Sequence, residues 1–297
     1  MTPAHEPALN PTPLPHSPSK DGRSSERPIA GEGRAPFSRK REKSLPPGKD
    51  PGVAGDSRPD EGARVEATID ALDWPALEAD LDAYGAAVAP KLLSPESCRA
   101  LADLYEDDAR FRSRVVMARH GFGRGEYKYF ADPLPALVGA LRRSLYRKLA
   151  PIADRWNAAL GVAARYPAEF EAFRARCHEA GQTKPTPLLL RYGPGDYNCL
   201  HQDVYGSLVF PLQVAILLSE PGRDFTGGEF VLTEQRPRMQ SRAEVVNLTQ
   251  GDGVIFAVRE RPAQGARGPY RVNMRHGVSR LRSGHRFTLG VIFHDAA

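Results

Sequence analysis

From residue 188 onward the chain is a succession of short, β-prone segments separated by turn residues. Each segment is rich in β-branched or aromatic residues, and Gly, Pro, Asp or Asn stands between one segment and the next. The seven segments are 188–192, 207–219, 228–234, 243–248, 253–258, 271–281 and 286–294. With the segment that carries His201 they make about eight strands. This pattern predicts a mainly β fold, a double-stranded β-helix or jelly roll, over residues 188–297.

Helical patterns precede these strands. Residues 134–160 have leucines at four-residue spacing, which predicts a long amphipathic helix that Pro151 breaks or kinks. Ser94 followed by Pro95 is typical of an N-cap and a first helical residue, and a further helix is predicted over 166–180. Residues 65–187 are therefore expected to be a helical support on one face of the sheets, within a single domain over 65–297.

Residues 1–64 differ in composition from the rest of the chain. Pro, Ser, Gly and charged residues dominate them, and Phe37 is their only aromatic residue. Because so little apolar surface cannot offset the entropy of ordering, we expect a disordered tail. Its basic residues between Arg34 and Lys49 can contact nucleic acid, but basic runs are also common in solvated tails.

Composition bounds the location and the partners of the protein. Hydrophobic residues make up 41% of the chain, which is enough for a sizeable core, and no apolar run is long enough to span a membrane. Three widely spaced cysteines indicate neither a disulfide framework nor a Cys-ligated metal, and the N-terminus lacks a secretory pattern. We therefore expect a cytoplasmic protein. Its net charge of +5 permits attraction to phosphate-rich partners without establishing it.

His201 and Asp203 are two residues apart in a predicted strand. Residues at this spacing point to the same side of a strand, so an imidazole and a carboxylate can reach one metal ion. His276 lies in the penultimate strand, which can run beside the strand of His201 in a jelly roll. Two His and one carboxylate form a three-ligand set that leaves open positions and suits Fe(II), although Zn, Co or Mn can also bind such ligands.

Arg286 stands ten residues after His276, at the start of the last strand. A planar guanidinium is suited to two-point capture of a carboxylate. We expect it to hold the distal carboxylate of a dicarboxylic cosubstrate whose other end chelates the metal.

Four motifs resemble the Fe(II)/2-oxoglutarate dioxygenase superfamily, most closely its prolyl 4-hydroxylase-like branch. They are YGPGDYNCLHQD at 192–203, TGGEF at 226–230, QGDGVIF at 250–256 and HGVSRLRSGHRFTLGVIFHD at 276–295. More narrowly, residues 208–242 are similar to a bacterial group of predicted oxygenases described as acting on damaged DNA. The resemblance covers about residues 70–297.

The resemblance implies a role for each motif residue. It places iron ligation on His201, Asp203 and His276, binding of the 2-oxoglutarate carboxylate on Arg286, and a hydrogen bond to 2-oxoglutarate on Tyr192. Fe(II), 2-oxoglutarate and O2 are the implied cofactors, with ascorbate as a candidate reductant. The implied reaction hydroxylates a C–H bond with release of succinate and CO2.

The substrate has more than one interpretation. Oxidative dealkylation of damaged nucleic acid follows from the narrower resemblance, whereas the ten-residue spacing between His276 and Arg286 favours a peptidyl or amino-acid hydroxylase of the prolyl type. A binding module without catalysis is the third alternative, which the intact ligand set and Arg286 disfavour. No membrane partner is expected.

Further residues near the motifs admit a structural or a functional reading. Arg124, Tyr127, Lys128 and Tyr129 can stack on and pair with nucleic acid, but a plain β-hairpin has the same composition and is the favoured interpretation. Cys199 should share a face with His201 by strand alternation, where it either lines the pocket or, in the favoured interpretation, is a small buried side chain. The arginines of the predicted loop 259–271 are expected at the pocket rim or in solvent.

Overall fold

The computed structural model describes residues 59–204 and 206–297. The predicted tail and its basic cluster lie outside the described residues, except that 59–64 form the first half of a helix. The helices are α1 (Pro59–Asp70), α2 (Trp74–Tyr84), α3 (Pro95–Asp103), α4 (Ala136–Ala159) and α5 (Phe170–Glu179).

Four short strands precede the predicted strand region. They are β1 (Ala86–Ala89), β2 (Phe111–Val116), β3 (Gly123–Arg124) and β4 (Glu126–Phe130). The strands after residue 187 are β5 (Leu188–Tyr192), β6 (Tyr197–His201), β7 (Leu212–Leu217), β8 (Phe225–Gly227), β9 (Phe230–Gln235), β10 (Arg242–Val246), β11 (Gly253–Ala257), β12 (Glu260–Gly265), β13 (Gly268–Val278), β14 (Leu281–Gly284) and β15 (Arg286–Val291).

Two antiparallel sheets form the centre of the fold. The seven-stranded sheet has the order β1-β11-β7-β15-β5-β4-β2, and the second sheet has the order β10-β9-β13-β6-β3 with β12 paired to β13. The eight core strands are β5, β6, β7, β9, β10, β11, β13 and β15. The chain passes from one sheet to the other at each connection between them except the β9–β10 hairpin. This strand order is that of a jelly roll of eight strands, so the predicted fold class is confirmed.

The seven-stranded sheet separates the helices from the interior. Leu189 and Leu289 point to one face, where they pack with helical residues such as Leu141 and Trp156. Neighbouring residues point to the opposite face and line a cavity between the two sheets. This alternation follows from the two-residue period of a strand. One face of the sheet therefore packs against the helices, and the other face is available to line a site.

The helix predicted over 134–160 is present as α4, and it continues through Pro151 as one element. The predicted cap of α3 is also present, since the Ser97 amide donates to Ser94 Oγ at 3.1 Å. None of the helices in the described part of the chain is both long and apolar enough to cross a membrane.

The predicted loop over 259–271 is instead the β12–β13 hairpin. Arg261 is buried at 1% exposure and donates to the Asp82 and Ala83 carbonyls and to Glu234. Arg261 occupies an inward position of β12. An apolar residue there would have given the alternation that predicts a strand, and the arginine hides it. The expectation of a rim or solvated arginine is therefore wrong for Arg261, which is a structural residue.

Candidate active site

His201 and His276 are direct neighbours across two strands. Antiparallel pairing of β13 with β6 places His276 opposite His201, and the two ring centroids are 4.2 Å apart. Asp203 follows at the end of β6 and reaches back to both rings. The expected adjacency of the two His strands is therefore present.

Three ligand atoms converge on one point. Asp203 Oδ1 lies 3.3 Å from His201 Nε2, and Asp203 Oδ2 lies 3.3 Å from His276 Nε2. One ligand atom from each of the three residues lies within 4.8 Å of the others. His201 Nδ1 is 2.8 Å from the Cys199 carbonyl, so Nδ1 donates to that carbonyl and Nε2 is the nitrogen that can bind a metal. Two imidazole nitrogens and a carboxylate oxygen can thus hold one divalent cation.

A β-bulge in β6 shapes this part of the site. His276 pairs with His201 and Val278 pairs with Asn198, so β6 has one extra residue between these pairs. Bulges reorient side chains locally. Cys199 lines the same cavity as His201, as strand alternation allowed, but it is exposed rather than buried, so the expectation of a small buried side chain is wrong.

Gly277 lies where the bulge comes closest to β13. A Cβ at this position would lie 2.7 Å from the Asn198 carbonyl oxygen, closer than backbone atoms tolerate. The absence of a side chain at Gly277 therefore permits the bulge beside His276.

The charges of the three residues are coupled. Burial opposes ionisation of Asp203, but hydrogen bonds from both imidazoles hold the pKa of its carboxyl well below the usual range. Burial acts against the His201 cation, yet the contact with Asp203 leaves its pKa raised. The deeper His276 has a lowered pKa because burial outweighs the same carboxylate. The site therefore combines a carboxylate with an imidazole that stays neutral.

Gln213 is a site residue that the sequence interpretation missed. It lies on β7, is 5% exposed, and donates its amide to Asp203 Oδ2 at 2.7 Å. Its Oε1 has no hydrogen-bond partner among the described residues. A lone Gln inside the apolar run VFPLQVAILLS was the available signal, since a buried polar group needs a partner.

Arg286 is a buried cation that lines the same cavity. It is 2% exposed and donates from a terminal nitrogen to Thr288 Oγ1 at 2.5 Å, and its Nε finds no partner in the part of the chain that the structure describes. Within the described residues no carboxylate oxygen lies within 4 Å of the guanidinium. Burial lowers its pKa to about 10, so it remains charged at neutral pH. A buried guanidinium in this state is suited to an anionic ligand.

Tyr192 lies directly opposite Arg286 in the pairing of β5 with β15. The guanidinium carbon is 5.7 Å from the centroid of the Tyr192 ring. Burial raises the pKa of Tyr192 to about 12, so its hydroxyl stays protonated and can donate a hydrogen bond. The structure thus brings Tyr192, predicted from the resemblance, to the same cavity.

The cavity that contains these residues has a volume of about 340 Å³, within the range of small-molecule sites. Tyr127, Tyr129, Leu188, Leu190 and Phe230 line its apolar wall. Lys128 does not reach the cavity, because it is buried beneath Tyr105 and pairs with Asp108 at 2.6 Å. In the predicted aromatic and basic group, Tyr127 and Tyr129 therefore line the cavity, whereas Lys128 is a structural residue.

Comparison with known proteins gives one family match and close relatives. A model of an oxygenase family, described as catalysing oxidative methylation of damaged DNA, matches residues 125–296. Two uncharacterized proteins from strains of Mycobacterium tuberculosis are each 52% identical over 168 residues, which cover 57% of this chain and 72% of the relative. The family match includes Tyr192, His201, Asp203, Gln213, His276 and Arg286.

Comparison with solved structures gives several matches at low identity. A prolyl 4-hydroxylase from Pseudomonas putida is 16% identical with a TM-score of 0.42, over 75% of this chain and 100% of that chain. An oxidoreductase of the 2OG-Fe(II) oxygenase family from Burkholderia pseudomallei is 18% identical with a TM-score of 0.44, over 76% and 94%. The fold assignment itself rests on the strand order given above.

Proposed function

Because the chain belongs to the oxygenase family described as acting on damaged DNA, we propose that it is an Fe(II)- and 2-oxoglutarate-dependent dioxygenase that removes an alkyl group from a damaged base. The family match spans more than half of the chain. It supports an oxygenase and a damaged-DNA substrate, while the cofactors rest on the geometry of the site.

The observation that carries the proposal is Arg286, which has no carboxylate partner among the described residues and lies in the cavity of the His201, Asp203 and His276 set. Three ligands alone fit many divalent cations. A buried cation that lacks a carboxylate partner among the described residues adds a demand for an anionic ligand beside the metal position. A dicarboxylate such as 2-oxoglutarate meets both demands, because one end can chelate the metal while the other pairs with Arg286.

In this proposal His201, Asp203 and His276 hold Fe(II). Bound Fe(II) supplies the activation of O2 that is coupled to decarboxylation of 2-oxoglutarate to succinate and CO2 and to hydroxylation of a C–H bond. The hydrogen bond of His201 Nδ1 to the Cys199 carbonyl fixes the ring that presents Nε2. The hydrogen bond from Gln213 fixes the Asp203 carboxylate.

The remaining residues of the cavity bind and orient. Arg286 pairs with the far carboxylate of 2-oxoglutarate, Thr288 positions the guanidinium, and the Tyr192 hydroxyl donates a hydrogen bond to the cosubstrate. Leu188, Leu190 and Phe230 exclude bulk water from the reacting groups.

The proposed reaction on the base removes carbon. Hydroxylation of an N-alkyl carbon gives an unstable product whose N–C bond breaks, the nitrogen regaining a proton and the carbon leaving as an aldehyde. For an N-methyl base one O2 and one 2-oxoglutarate are consumed, and one formaldehyde, one succinate and one CO2 form. The family description names methylation, whereas the chemistry proposed for this chain is demethylation.

The test is a substrate screen with the full chain, Fe(II), 2-oxoglutarate and ascorbate. Methylated single-stranded oligonucleotides should give formaldehyde and succinate in equal amounts, and His201→Ala should give neither. A hydroxylated proline-rich peptide, detected as a 16-dalton gain, would instead establish the peptidyl hydroxylase. Absence of 2-oxoglutarate-dependent succinate with all substrates would leave only a binding module and refute the enzyme.

A further inference from the structure

We propose that a surface beside the cavity mouth binds single-stranded nucleic acid by base stacking and phosphate pairing. This mouth surface consists of Arg119, His120, Phe122, Arg124 and Tyr197. The inference rests on the proposed function for the class of polymer, and it assigns the residues that hold the strand.

The mouth surface is built on an anchored turn. Met117 is fully buried, and its carbonyl accepts from the amides of His120 and Phe122 at 3.0 and 3.2 Å. The Cys199 amide donates to the Phe122 carbonyl at 2.9 Å, which ties the turn to β6 beside the metal ligands. The turn therefore holds its outward side chains at a fixed position against the mouth.

Aromatic rings of this surface face solvent. Phe122 is 48% exposed, lines the cavity mouth, and stacks on His120 with ring centroids 5.3 Å apart. Tyr197 is 37% exposed and lies next to the mouth residue Asn198. Four of the seven large exposed hydrophobic residues in the described chain, Phe122, Tyr197, Leu200 and Val204, line this mouth or adjoin a residue that does. Such clustering marks a binding surface, whereas single exposed apolar residues need no explanation.

The charge of the surface is complementary to phosphate. Residues 111–125 contain four arginines and no acidic residue. Arg112 and Arg114 are engaged with the Pro185 carbonyl and with Glu126, but Arg119 is exposed and has no ion pair among the described residues. Arg124 is directly opposite Tyr197 in the β3–β6 pairing, and its nearest carboxylate oxygen, on Asp196, is 3.7 Å away. Arginine next to an exposed ring is the combination that binds single strands.

The site opens toward the same side. The His201 side chain is 34% exposed and the His276 side chain is 8% exposed, so the three-ligand set is reached from β6. The mouth surface flanks β6 through β3. Because an enzyme acts on a base only after the base leaves its stack, a strand held here can place one base in the cavity while its neighbours stack on Phe122 and Tyr197.

The experiment measures binding of fluorescent, unmethylated oligonucleotides to the metal-free full-length protein by anisotropy across a salt series. Single-stranded DNA, single-stranded RNA, duplex DNA and a proline-rich peptide are compared. We expect Phe122→Ala to weaken single-strand binding by on the order of ten-fold, and Phe122→Tyr to retain it. Arg119→Gln and Arg124→Gln should each reduce the slope of log affinity against log salt by about 0.7.

Matched controls lie away from the mouth. Tyr84→Ala removes a ring that is 49% exposed on α2, and Arg99→Gln removes an exposed arginine on α3; neither residue lines the cavity. Equal effects of control and mouth variants, no binding of single strands, or preferential binding of peptide would overturn the proposal. Preferential binding of single-stranded DNA or of single-stranded RNA identifies the strand and supports the proposal.

Succinate release by the wild-type protein is measured in parallel. Strand binding that depends on the mouth surface, without 2-oxoglutarate turnover, would refute the proposed enzyme and keep this inference. Turnover on methylated oligonucleotides, with strand binding unchanged in the mouth variants, would support the proposed enzyme and refute this inference.

Discussion

Gln213 donates its side-chain amide to Asp203 Oδ2 at 2.7 Å, while the other oxygen of that carboxylate lies 3.3 Å from His201 Nε2. The opposite orientation of the amide is unfavourable, because Oε1 would then face the Asp203 carboxylate. That carboxylate is ionised, since its pKa lies well below the usual range. Gln213 therefore acts as a donor that positions Asp203 from the strand on the opposite sheet.

Gln213→Met should weaken Fe(II) binding by about ten- to a hundred-fold, the loss typical when a hydrogen bond to a metal ligand is removed. The fold should persist, since the change also removes a buried acceptor that lacks a partner among the described residues. Competition with a metal-sensitive dye measures the affinity. Gln264→Met, at an exposed hairpin position, is the control, and equal affinities of the two variants would show that Gln213 does not position the ligand.

Arg286→Met should leave the ligand-free protein at least as stable as the wild type. The guanidinium is buried without a carboxylate partner within the described chain, so its removal relieves a desolvation cost. Metal-loaded wild-type protein at a 2-oxoglutarate concentration of 100 Kd should gain about 2.7 kcal/mol, and the variant should gain nothing. Thermal unfolding under anaerobic conditions, with exposed Arg282→Met as control, makes the comparison; equal stabilisation of both variants would contradict the role of Arg286.

Asp295→Asn should destabilise the fold by about 3–5 kcal/mol. Asp295 and Arg142 are each 1% exposed and their side chains are 2.6 Å apart, so loss of the carboxylate leaves a buried charge uncompensated. Urea unfolding measures the free energy. Glu96→Gln, which breaks the exposed pair with Arg99, should cost less than about 1 kcal/mol. If Asp295→Asn also cost less than about 1 kcal/mol, the buried pair with Arg142 would not stabilise the fold as expected.

His294 should make the fold sensitive to mild acid. Burial, with a contribution from Arg142, lowers the pKa of His294 from 6.5 to about 4, against the attraction of Asp203 and Asp295. Because the unfolded state takes up the proton first, stability is full above pH 6.5 and is lost as the pH falls toward 4. Between pH 7 and pH 5 the wild type should lose about 2 kcal/mol more than His294→Gln. Parallel urea titrations test this, and identical pH dependences would exclude His294 as the cause.

The core of the fold was predictable because its strands are apolar and separated by turn residues. The predicted segment 188–192 coincides with β5, and the segment 253–258 contains β11. The strands that were missed, such as β8, β12 and β14, are short or carry polar residues at inward positions, so neither length nor alternation reveals them.

The candidate ligands were predictable from spacing, but their surroundings were not. The two-residue spacing keeps Asp203 close to His201 although β6 ends at His201, and the jelly roll brings His276 alongside. The bulge in β6 depends on the close approach of Gly277 to Asn198, a tertiary relationship that a local rule does not contain. Gln213 illustrates a signal that was present in one strand but whose partner lies in the other sheet.

Anaerobic titration of the metal-free protein with Fe(II) tests the central claim most directly. One ion per chain should bind to the wild type, and His201→Ala, Asp203→Ala and His276→Ala should each lose that binding while remaining folded. 2-Oxoglutarate should then bind to the iron-loaded wild type and fail to bind to iron-loaded Arg286→Met. Unchanged Fe(II) binding in the three ligand variants, or 2-oxoglutarate binding that depends on neither iron nor Arg286, would contradict the account.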